Sequence, residues 1–371
     1  MSFSVGIVGL PNVGKSTLFK ALTKKPVDIA PYPFTTINPN IGIVAVPDKR
    51  LEEIAKIIKP EKITPTIIEF VDIAGLVKGA HKGEGLGNQF LANIRNCDAI
   101  LEIVRSFKDD KVEHVTGEIN PERDIEIIKT ELLMKDLETI ENIISNTERN
   151  SKSGDKESIK KLTILKKIKE SLSQGKSVKE IDLNEEESNI IKEFQFLTQK
   201  PIVYILNADE KTNNTKLKVQ HLEINLKWEE EISELSDEEK IELGIKSQLD
   251  PHTKRGQDAE SVKINEVSPC SGMGVDQIIV ACYNILDLIT FYTVAGGKET
   301  RAWTLKKGAK CPEAGGKVHS DFEEKFIRAE VVPWQKLIES GSWSKNRESG
   351  QMKIAGRDYT VNDGDVIEFK I

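Results

Sequence analysis

The chain has 371 residues, a net charge of −7 and 30% charged residues. This length exceeds one small domain, and the acidic balance excludes an overall basic field for nucleic acid, so such contact would need a local patch. The four cysteines form no Cys-x-x-Cys pair, which argues against a zinc site or a disulfide framework. No signal-peptide pattern opens the chain and no apolar run approaches about 18 residues, so we expect a cytoplasmic protein without membrane contact.

Residues 9–17 read G-L-P-N-V-G-K-S-T and fit the phosphate-loop pattern G-x-x-x-x-G-K-[ST]. An apolar, β-prone run lies directly before the motif and a helix-like run directly after it, which is the strand–loop–helix context that the motif requires. Gly9 and Gly14 allow backbone N–H groups and the N-terminus of the following helix to point at phosphates, to which Lys15 adds a positive charge. We therefore predict a nucleotide site in which Ser16 binds Mg²⁺.

Two later segments lie where nucleotide switches contact the metal and the γ-phosphate. A proline-broken loop ends in Thr35 and Thr36, and either hydroxyl could reach Mg²⁺. The next predicted buried strand ends in Asp72, which we expect to be a metal partner. Gly75 would then supply a backbone N–H to the γ-phosphate.

A leucine, Leu76, occupies the position where Ras-type GTPases carry the glutamine that orients the attacking water. Its side chain can neither donate nor accept a hydrogen bond, so another group must position the water. We predict His114 for this role, with His81 as the rival, although a histidine in a loop is commonly just packed or solvated. Asn12 could assist through a monovalent cation that bridges the phosphates.

From about residue 124 to residue 196, apolar residues recur mostly at helical spacing, interrupted by a polar stretch around residues 151–156. This pattern predicts two helices that form an antiparallel hairpin inserted into the α/β domain. The second helix is rich in lysine, which indicates either a solvated face or contact with phosphate-rich RNA. These lysines are Lys160, Lys161, Lys166, Lys167 and Lys169.

A predicted strand at residues 201–206 leads into Asn207, Ala208, Asp209 and Glu210. GTP-binding proteins place N-K-x-D here, where the aspartate accepts two hydrogen bonds from guanine. In this chain alanine replaces the lysine and the carboxylate belongs to the longer glutamate. We therefore expect adenine recognition or relaxed base specificity.

From about residue 291 the sequence changes to short predicted strands separated by turns, with a helical stretch from Asp321, which favours a β-grasp-like module. The predicted strands are residues 301–305, 326–332, 352–354, 358–361 and 366–369. Residues 289–371 contain 14 Lys and Arg against 12 Asp and Glu, a balance of +2. If Trp303 is exposed beside these basic residues, this face could bind RNA; a solvated face is the alternative.

In their order, these motifs resemble those of the YchF family of Obg-related P-loop proteins, the Obg-like ATPases. The resemblance covers nearly the whole chain and is carried by the helical hairpin and by residues 9–17, 32–36, 72–79, 83–88, 207–210, 301–303 and 317–322. It implies an α/β fold with a P-loop NTPase G domain over residues 1–123 and 199–288. A coiled-coil hairpin is inserted at residues 124–198, and a C-terminal β-grasp (TGS) domain follows at residues 289–371.

The resemblance also implies an activity and a site. Members of the family hydrolyse ATP and often GTP with Mg²⁺, and potassium stimulates them. The implied phosphate-binding residues are Asn12, Val13, Gly14, Lys15, Ser16 and Thr17. Ser16 and Thr36 would hold Mg²⁺ beside Asp72, the base would lie at Asn207, Ala208 and Glu210, and the catalytic groups would be His114, Lys15 and Gly75.

One segment departs from the family pattern. Residues 224–227, Ile-Asn-Leu-Lys, stand where the family carries a small-residue motif that packs on the base. This departure leaves base preference open at the level of sequence.

The leading hypothesis is a monomeric, slow ATPase whose nucleotide states switch its affinity for the ribosome or another RNA-rich partner. A GTPase of the same fold is the alternative enzyme. A binding module that holds ATP with negligible turnover is the alternative outside the enzyme class, and Leu76 favours it.

Overall fold

The computed structural model describes residues 3–24, 40–73, 86–109, 114–115, 117–151, 156–209, 217–242, 274–295 and 297–371. The strands are β1 Phe3–Val8, β2 Ile41–Ala45, β3 Lys62–Thr64, β4 Ile67–Asp72, β5 Ala99–Arg105, β6 Ile202–Asn207, β7 His221–Ile224, β8 Leu288–Ala295, β9 Glu299–Lys306, β10 Arg328–Pro333, β11 Lys353–Ala355 and β12 Asp365–Lys370. The helices are α1 Lys15–Thr23, α2 Lys49–Ile58, α3 Leu86–Arg95, α4 Pro121–Ser151, α5 Lys156–Ser173, α6 Glu185–Ile191, α7 Leu226–Glu234, α8 Asp237–Glu242, α9 Gly274–Ile285, α10 Cys311–Val318, α11 Ser320–Glu324, α12 Trp334–Ser340 and α13 Trp343–Glu348. Within these ranges no helix combines the length and the apolarity needed to cross a bilayer.

The first sheet has six strands in the order β2-β4-β1-β5-β6-β7. Only β2 runs antiparallel to its neighbour, and the other pairs are parallel. All seven residues of β5 are buried, as expected for a central strand of a parallel sheet that is covered on both faces. Because the carboxyl ends of β1, β4, β5 and β6 share one edge, the residues that follow these strands converge there.

The predicted helical hairpin is present as α4 and α5, here called the arm. Its interior is apolar and includes Leu133, Ile140, Leu165 and Ile168. The chain returns to the sheet past Asp136, whose carboxylate is fully buried and accepts hydrogen bonds at 2.8 Å from the backbone N–H groups of Leu197 and Thr198 and from the Thr198 hydroxyl.

Each of the five arm lysines faces a glutamate. The pairs are Lys160 with Glu186, Lys161 with Glu193, Lys166 with Glu148, Lys167 with Glu187 and Lys169 with Glu141. Such exposed pairs contribute only about 0–1 kcal/mol each to stability. They do lower the positive potential of the helix, so the arrangement favours a solvated face over an RNA-binding one.

The second sheet has the order β11-β10-β12-β8-β9-β3, with β8 and β12 parallel and α10 and α11 packed over a core that includes Phe291, Val331 and Phe369. The strand predicted at residues 358–361 is absent: Thr360 forms only an isolated bridge with Lys310. Trp303 is half-buried, because it stacks on Phe291 at 6.5 Å and donates its indole N–H to the Thr293 hydroxyl. Trp303 is therefore only partly accessible, and RNA binding at this face stays a prediction.

The segment between β2 and β4 belongs to the second sheet, which the sequence analysis did not predict. Strand β3 pairs in parallel with β9, with Lys62 opposite Glu299. Helix α2 covers the same sheet through Leu51 and Ile54, which pack with Tyr292. The two sheets are thus joined by a piece of chain from the N-terminal domain.

A buried network of charged side chains lies where α2 meets the second sheet, a contact here called the junction. The side chain of Arg50 is 3% exposed, and its guanidinium contacts Asp48 at 3.2 Å and Asp363 at 3.0 Å. Tyr292 donates its hydroxyl proton to Asp48 at 2.5 Å. Burial opposes the charged form of Arg50, but Tyr292, Asp48 and Asp363 together raise its pKa.

We expect Arg50→Met to destabilise the protein by about 3 kcal/mol, because it leaves two carboxylates in the junction without their cation. Lys169→Met is the matched control, since it removes a cation from the exposed pair with Glu141 and should cost less than about 1 kcal/mol. Urea unfolding followed by tryptophan fluorescence measures both changes. Equal losses in the two variants would contradict a structural role for the network.

Candidate functional site

The phosphate loop runs from the end of β1 into α1, and two of its glycines are required by close contacts. Gly14 has a φ of 108°, and a Cβ there would lie 2.6 Å from Asn207 Nδ2. A Cβ on Gly9 would lie 2.7 Å from the Ile103 carbonyl oxygen. Asn12 takes a left-handed conformation with a φ of 63°, which asparagine tolerates better than most residues.

Lys15 lies in the loop with its ammonium group turned toward backbone carbonyls. It donates to Leu10 O at 2.8 Å and to Gly9 O at 3.2 Å. Burial lowers its pKa to about 8, and the nearby Asp72 carboxylate opposes this shift. An anion at the N-terminus of α1 would therefore meet a partly desolvated cation together with backbone N–H groups.

Asp72 ends β4 beside β1, paired with Ile7. Burial raises the pKa of its carboxyl group, and Lys15 opposes the shift. Ser16 is exposed on the first turn of α1. A hydroxyl and a carboxylate are oxygen donors of the kind Mg²⁺ takes alongside phosphate oxygens and water, so these two residues fit the predicted metal.

Asn207, at the end of β6, anchors the phosphate loop. Its Nδ2 donates to the Val13 carbonyl at 2.9 Å, and its Oδ1 accepts from the Leu226 N–H at 3.2 Å. The backbone of Ala208 donates to Ile224 O at 3.1 Å, and the residue is buried. From the sequence we predicted that Asn207 and Ala208 contact the base, and we did not predict that Asn207 holds the phosphate loop. The signal available in the sequence was its place at the end of a predicted parallel strand, at the sheet edge where the phosphate loop also lies.

Residues 224–227, which depart from the family pattern, connect the end of β7 to the start of α7. Leu226 is fully buried, and its Cδ1 would lie 3.3 Å from a Cβ on Gly14. Asn225 caps α7 by accepting from the Trp228 N–H at 3.1 Å. Through Leu226, this segment packs against the phosphate loop at Gly14.

The described hydrogen bond of the His114 side chain is with Asp124. Its Nε2 is 2.9 Å from Asp124 Oδ2 at the start of α4, and both side chains are 3% exposed.

Most of the predicted site residues lie together at one edge of the sheet. They are Asn12, Val13, Gly14, Lys15, Ser16, Thr17, Asp72, Asn207 and Ala208. The predicted Thr35, Thr36, Gly75, Leu76, His81 and Glu210 lie outside the described residues.

Two family models match the chain. The model of the YchF-type GTPase C-terminal domain, described as a protein of unknown function, matches residues 288–371, and a model described as a 50S ribosome-binding GTPase matches residues 4–149.

Full-length relatives agree with these matches. The chain is 42% identical to the ribosome-binding ATPase YchF of Bacillus subtilis and 44% identical to that of Escherichia coli O157:H7, and each alignment covers 100% of this chain and 99% of the relative. The solved structure of the Schizosaccharomyces pombe YchF GTPase is 33% identical, with a TM-score of 0.81 over 100% of this chain and 98% of its own. The resemblance and the fold class predicted from the motifs are therefore confirmed.

We expect ATP affinity to fall as the pH rises above about 8, since Lys15 is charged below its pKa of about 8 and neutral above it. A neutral amine does not attract phosphate, so binding should weaken by up to about tenfold per pH unit in that range. Calorimetric titration with ATP and Mg²⁺ gives the affinities. The control is Lys15→Arg, whose guanidinium stays charged; a similar pH dependence in that variant would exclude Lys15 as the titrating group.

We expect Asn207→Asp to weaken ATP binding by at least about tenfold, because a carboxylate oxygen would replace the N–H that faces the Val13 carbonyl. Asn184→Asp makes the same change at the N-cap of α6, where only the acceptor Oδ1 is used, and should leave affinity unchanged. Calorimetry measures both variants. Unaltered affinity in Asn207→Asp would show that the anchor does not shape the site.

Proposed function

The chain belongs to the YchF family of P-loop proteins, and on this premise we propose that it is a Mg²⁺-dependent ATPase. It hydrolyses ATP to ADP and phosphate, and its nucleotide state sets its affinity for the ribosome. The relatives named as ribosome-binding ATPases match the chain from end to end, which supports carrying over both parts of the description.

The observation that carries the proposal is the geometry of Asn207. Its carboxamide joins the phosphate loop to the first residue of α7, so the loop is preorganised for a nucleotide by a residue of the predicted base-binding motif. Base recognition then falls to the residues after it, where Ala208 replaces the lysine of guanine-specific proteins. This supports ATP as the substrate.

The proposed roles of the site residues are to bind the phosphates, the metal and the base. Backbone N–H groups of residues 12–17 and the Lys15 ammonium bind the phosphates, while Ser16, Thr36 and Asp72 hold Mg²⁺. The metal would neutralise charge that develops on the phosphate oxygens. Gly75 would donate an N–H to the γ-phosphate, and Glu210 would complete the base contacts.

Two further roles complete the proposal. The Asn12 carboxamide would take part in binding a stimulatory K⁺ ion, which its place in the phosphate loop supports. His114 would position the attacking water in place of the glutamine that Leu76 replaces.

We further propose a monomer that works in the cytoplasm, where ribosomes are found. Its domains are those expected from the sequence, at residues 1–123 with 199–288, at 124–198 and at 289–371. RNA contact is better placed on the C-terminal domain than on the arm, because Lys298, Lys306 and Lys307 are exposed while the arm lysines are paired.

A GTPase of the same fold is the second candidate. It is favoured by one observation, that the matching solved structure and the matching N-terminal family model are both described as GTPases.

Calorimetry with ATP, GTP, ADP and GDP, in the presence of Mg²⁺ and K⁺, tests the substrate. We expect ATP to bind more tightly than GTP and Lys15→Ala to abolish binding. Tighter GTP binding would replace the ATPase by the GTPase, and ATP binding without turnover would leave only a binding module.

Co-sedimentation with ribosomes tests the switch. A non-hydrolysable ATP analogue and ADP should give different ribosome affinities, since a ligand shifts an equilibrium only through unequal binding to its two states. Equal affinities would contradict nucleotide-dependent ribosome binding.

A further inference from the structure

Glu229 is a buried carboxylate that joins two helices beside the nucleotide site. It lies near the start of α7 and is 3% exposed. Its Oε1 accepts the N–H of Gly274 at 3.1 Å, and its Oε2 accepts the N–H of Val275 at 3.3 Å. These N–H groups belong to the first turn of α9, where no carbonyl of the helix itself can reach them. The carboxylate therefore binds the positive end of α9 from a position 45 residues earlier in the chain.

The contact between α7 and α9 is so close that only glycine fits at its centre. A Cβ on Gly274 would lie 2.8 Å from Glu229 Oε1 and 2.9 Å from Ile224 Cγ2, at the end of β7. Neither separation leaves room for another carbon atom in a packed interior. The first turn of α9 thus packs directly on the segment that, through Leu226, contacts the phosphate loop.

Helix α9 has a position that is set by the core of the first sheet. Ile278, Ile279, Cys282 and Tyr283 are almost completely buried there. The Tyr283 hydroxyl also donates to the Ile289 carbonyl at 2.9 Å, at the start of β8. Because interiors are close-packed, α9 provides a fixed support for whatever is bonded to its first turn.

Helix α7 depends on that support. It has nine residues, and its buried side chains are Leu226, Glu229 and Ile232, so only two of them are apolar. Its ion pairs with α1, through Glu230 and Glu234, lie at the surface, where such pairs add little. The two hydrogen bonds of the buried carboxylate are therefore a main part of what holds α7 in place.

The position of α7 affects the phosphate loop through Asn207. The carboxamide accepts the N–H of Leu226, the first residue of α7, and donates to the Val13 carbonyl of the loop. A shift of α7 would lengthen the first hydrogen bond or turn the carboxamide away from Val13. A continuous series of contacts therefore runs from α9 through Glu229, α7 and Asn207 to the phosphate loop.

We propose that Glu229 is a positioning residue of the nucleotide site, which holds α7 on α9 so that Asn207 can fix the phosphate loop. This inference rests on the proposed function, since it concerns the same site and the same ligand, ATP. Because α9 is followed directly by β8 of the second sheet, Glu229 also lies on the connection between the nucleotide site and the C-terminal domain.

ATP binding by Glu229→Gln tests the proposal. The substitution keeps the size of the side chain but removes its charge and turns an amide N–H toward the N–H groups of α9. Calorimetry with ATP and Mg²⁺ should show an affinity lower by about fivefold or more, as for residues that share one hydrogen-bond network. Glu231→Gln is the matched control, because it makes the same change at an exposed position of α7 and should leave the affinity unchanged.

Comparison of stability with binding separates positioning from a purely structural role. A carboxylate that only stabilises the fold would lower the urea midpoint of Glu229→Gln and leave the ATP affinity of the folded protein unchanged. That result would overturn the proposal. Unchanged affinity in Glu229→Gln beside lost binding in Lys15→Ala would remove this inference alone, whereas normal binding in Lys15→Ala would remove the proposed nucleotide site itself.

The double variant with Asn207→Asp tests the route to the phosphate loop. Asn207→Asp already loses the hydrogen bond to Val13, so adding Glu229→Gln should lower the ATP affinity by less than about twofold further. A further loss as large as that of Glu229→Gln alone would show that the carboxylate does not act through Asn207.

Hydrogen exchange in the unsubstituted, full-length protein gives a readout that needs no variant. ATP with Mg²⁺ should slow exchange of the Gly274 and Val275 amides by at least about threefold, because binding that restrains the loop also restrains Asn207, α7 and Glu229. Mass spectrometry of peptides that cover the start of α9 measures this rate. If Glu229→Gln does not fold, this measurement decides, and an exchange rate unaffected by ATP would overturn the proposal.

Discussion

The carboxamide of Asn207 is the contact on which the nucleotide site depends. It joins Val13, 194 residues earlier in the chain, to Leu226, 19 residues later, and it is almost completely buried. Removing it would leave the Val13 carbonyl and the Leu226 N–H without this partner, at a cost of about 1–3 kcal/mol each. The same contact explains Gly14, since the carboxamide packs so closely on the loop that no Cβ fits between them.

A second constraint is topological. Strands β2 and β4 are neighbours in the first sheet, yet the chain between them forms α2 and β3 on the second sheet. Asp72, the proposed metal partner, ends β4. A shift of β4 relative to β2 must therefore be accommodated by α2 and β3, which the Arg50 network and the pairing with β9 hold in place. The C-terminal domain is thus connected to the G domain by strand pairing and packing, through β3 and α2, as well as by the continuous chain.

Local features of the sequence were sufficient for part of this picture. The phosphate loop is recognisable because its glycines, lysine and flanking apolar runs are contiguous. The buried strand that was predicted to end at Asp72 does end there. The arm was predicted because helical periodicity persists over many residues. The order of the motifs along nearly the whole chain then predicted the family and the fold class.

Features that depend on distant partners were not predictable. Strand β3 has only three residues and pairs with a strand more than 200 residues away, so no local pattern marks it. The glutamate partners of the arm lysines and the partial burial of Trp303 were not predictable for the same reason, because these glutamates and Phe291 lie in other segments. Within the site, the burial of Lys15 and the anchoring by Asn207 also arise only when the sheet brings separate loops to one edge.

The two attachments to the G domain differ in kind. The base of α4 meets the sheet through apolar side chains such as Ile125 and Ile128, whose contact is non-directional, and through the buried hydrogen bond between Asp124 and His114. The C-terminal sheet is attached by strand register and a buried charge network, both of which lose hydrogen bonds when they slide. A displacement of the C-terminal sheet must therefore carry α2 and β3 with it, and with them the connection to β4 and Asp72.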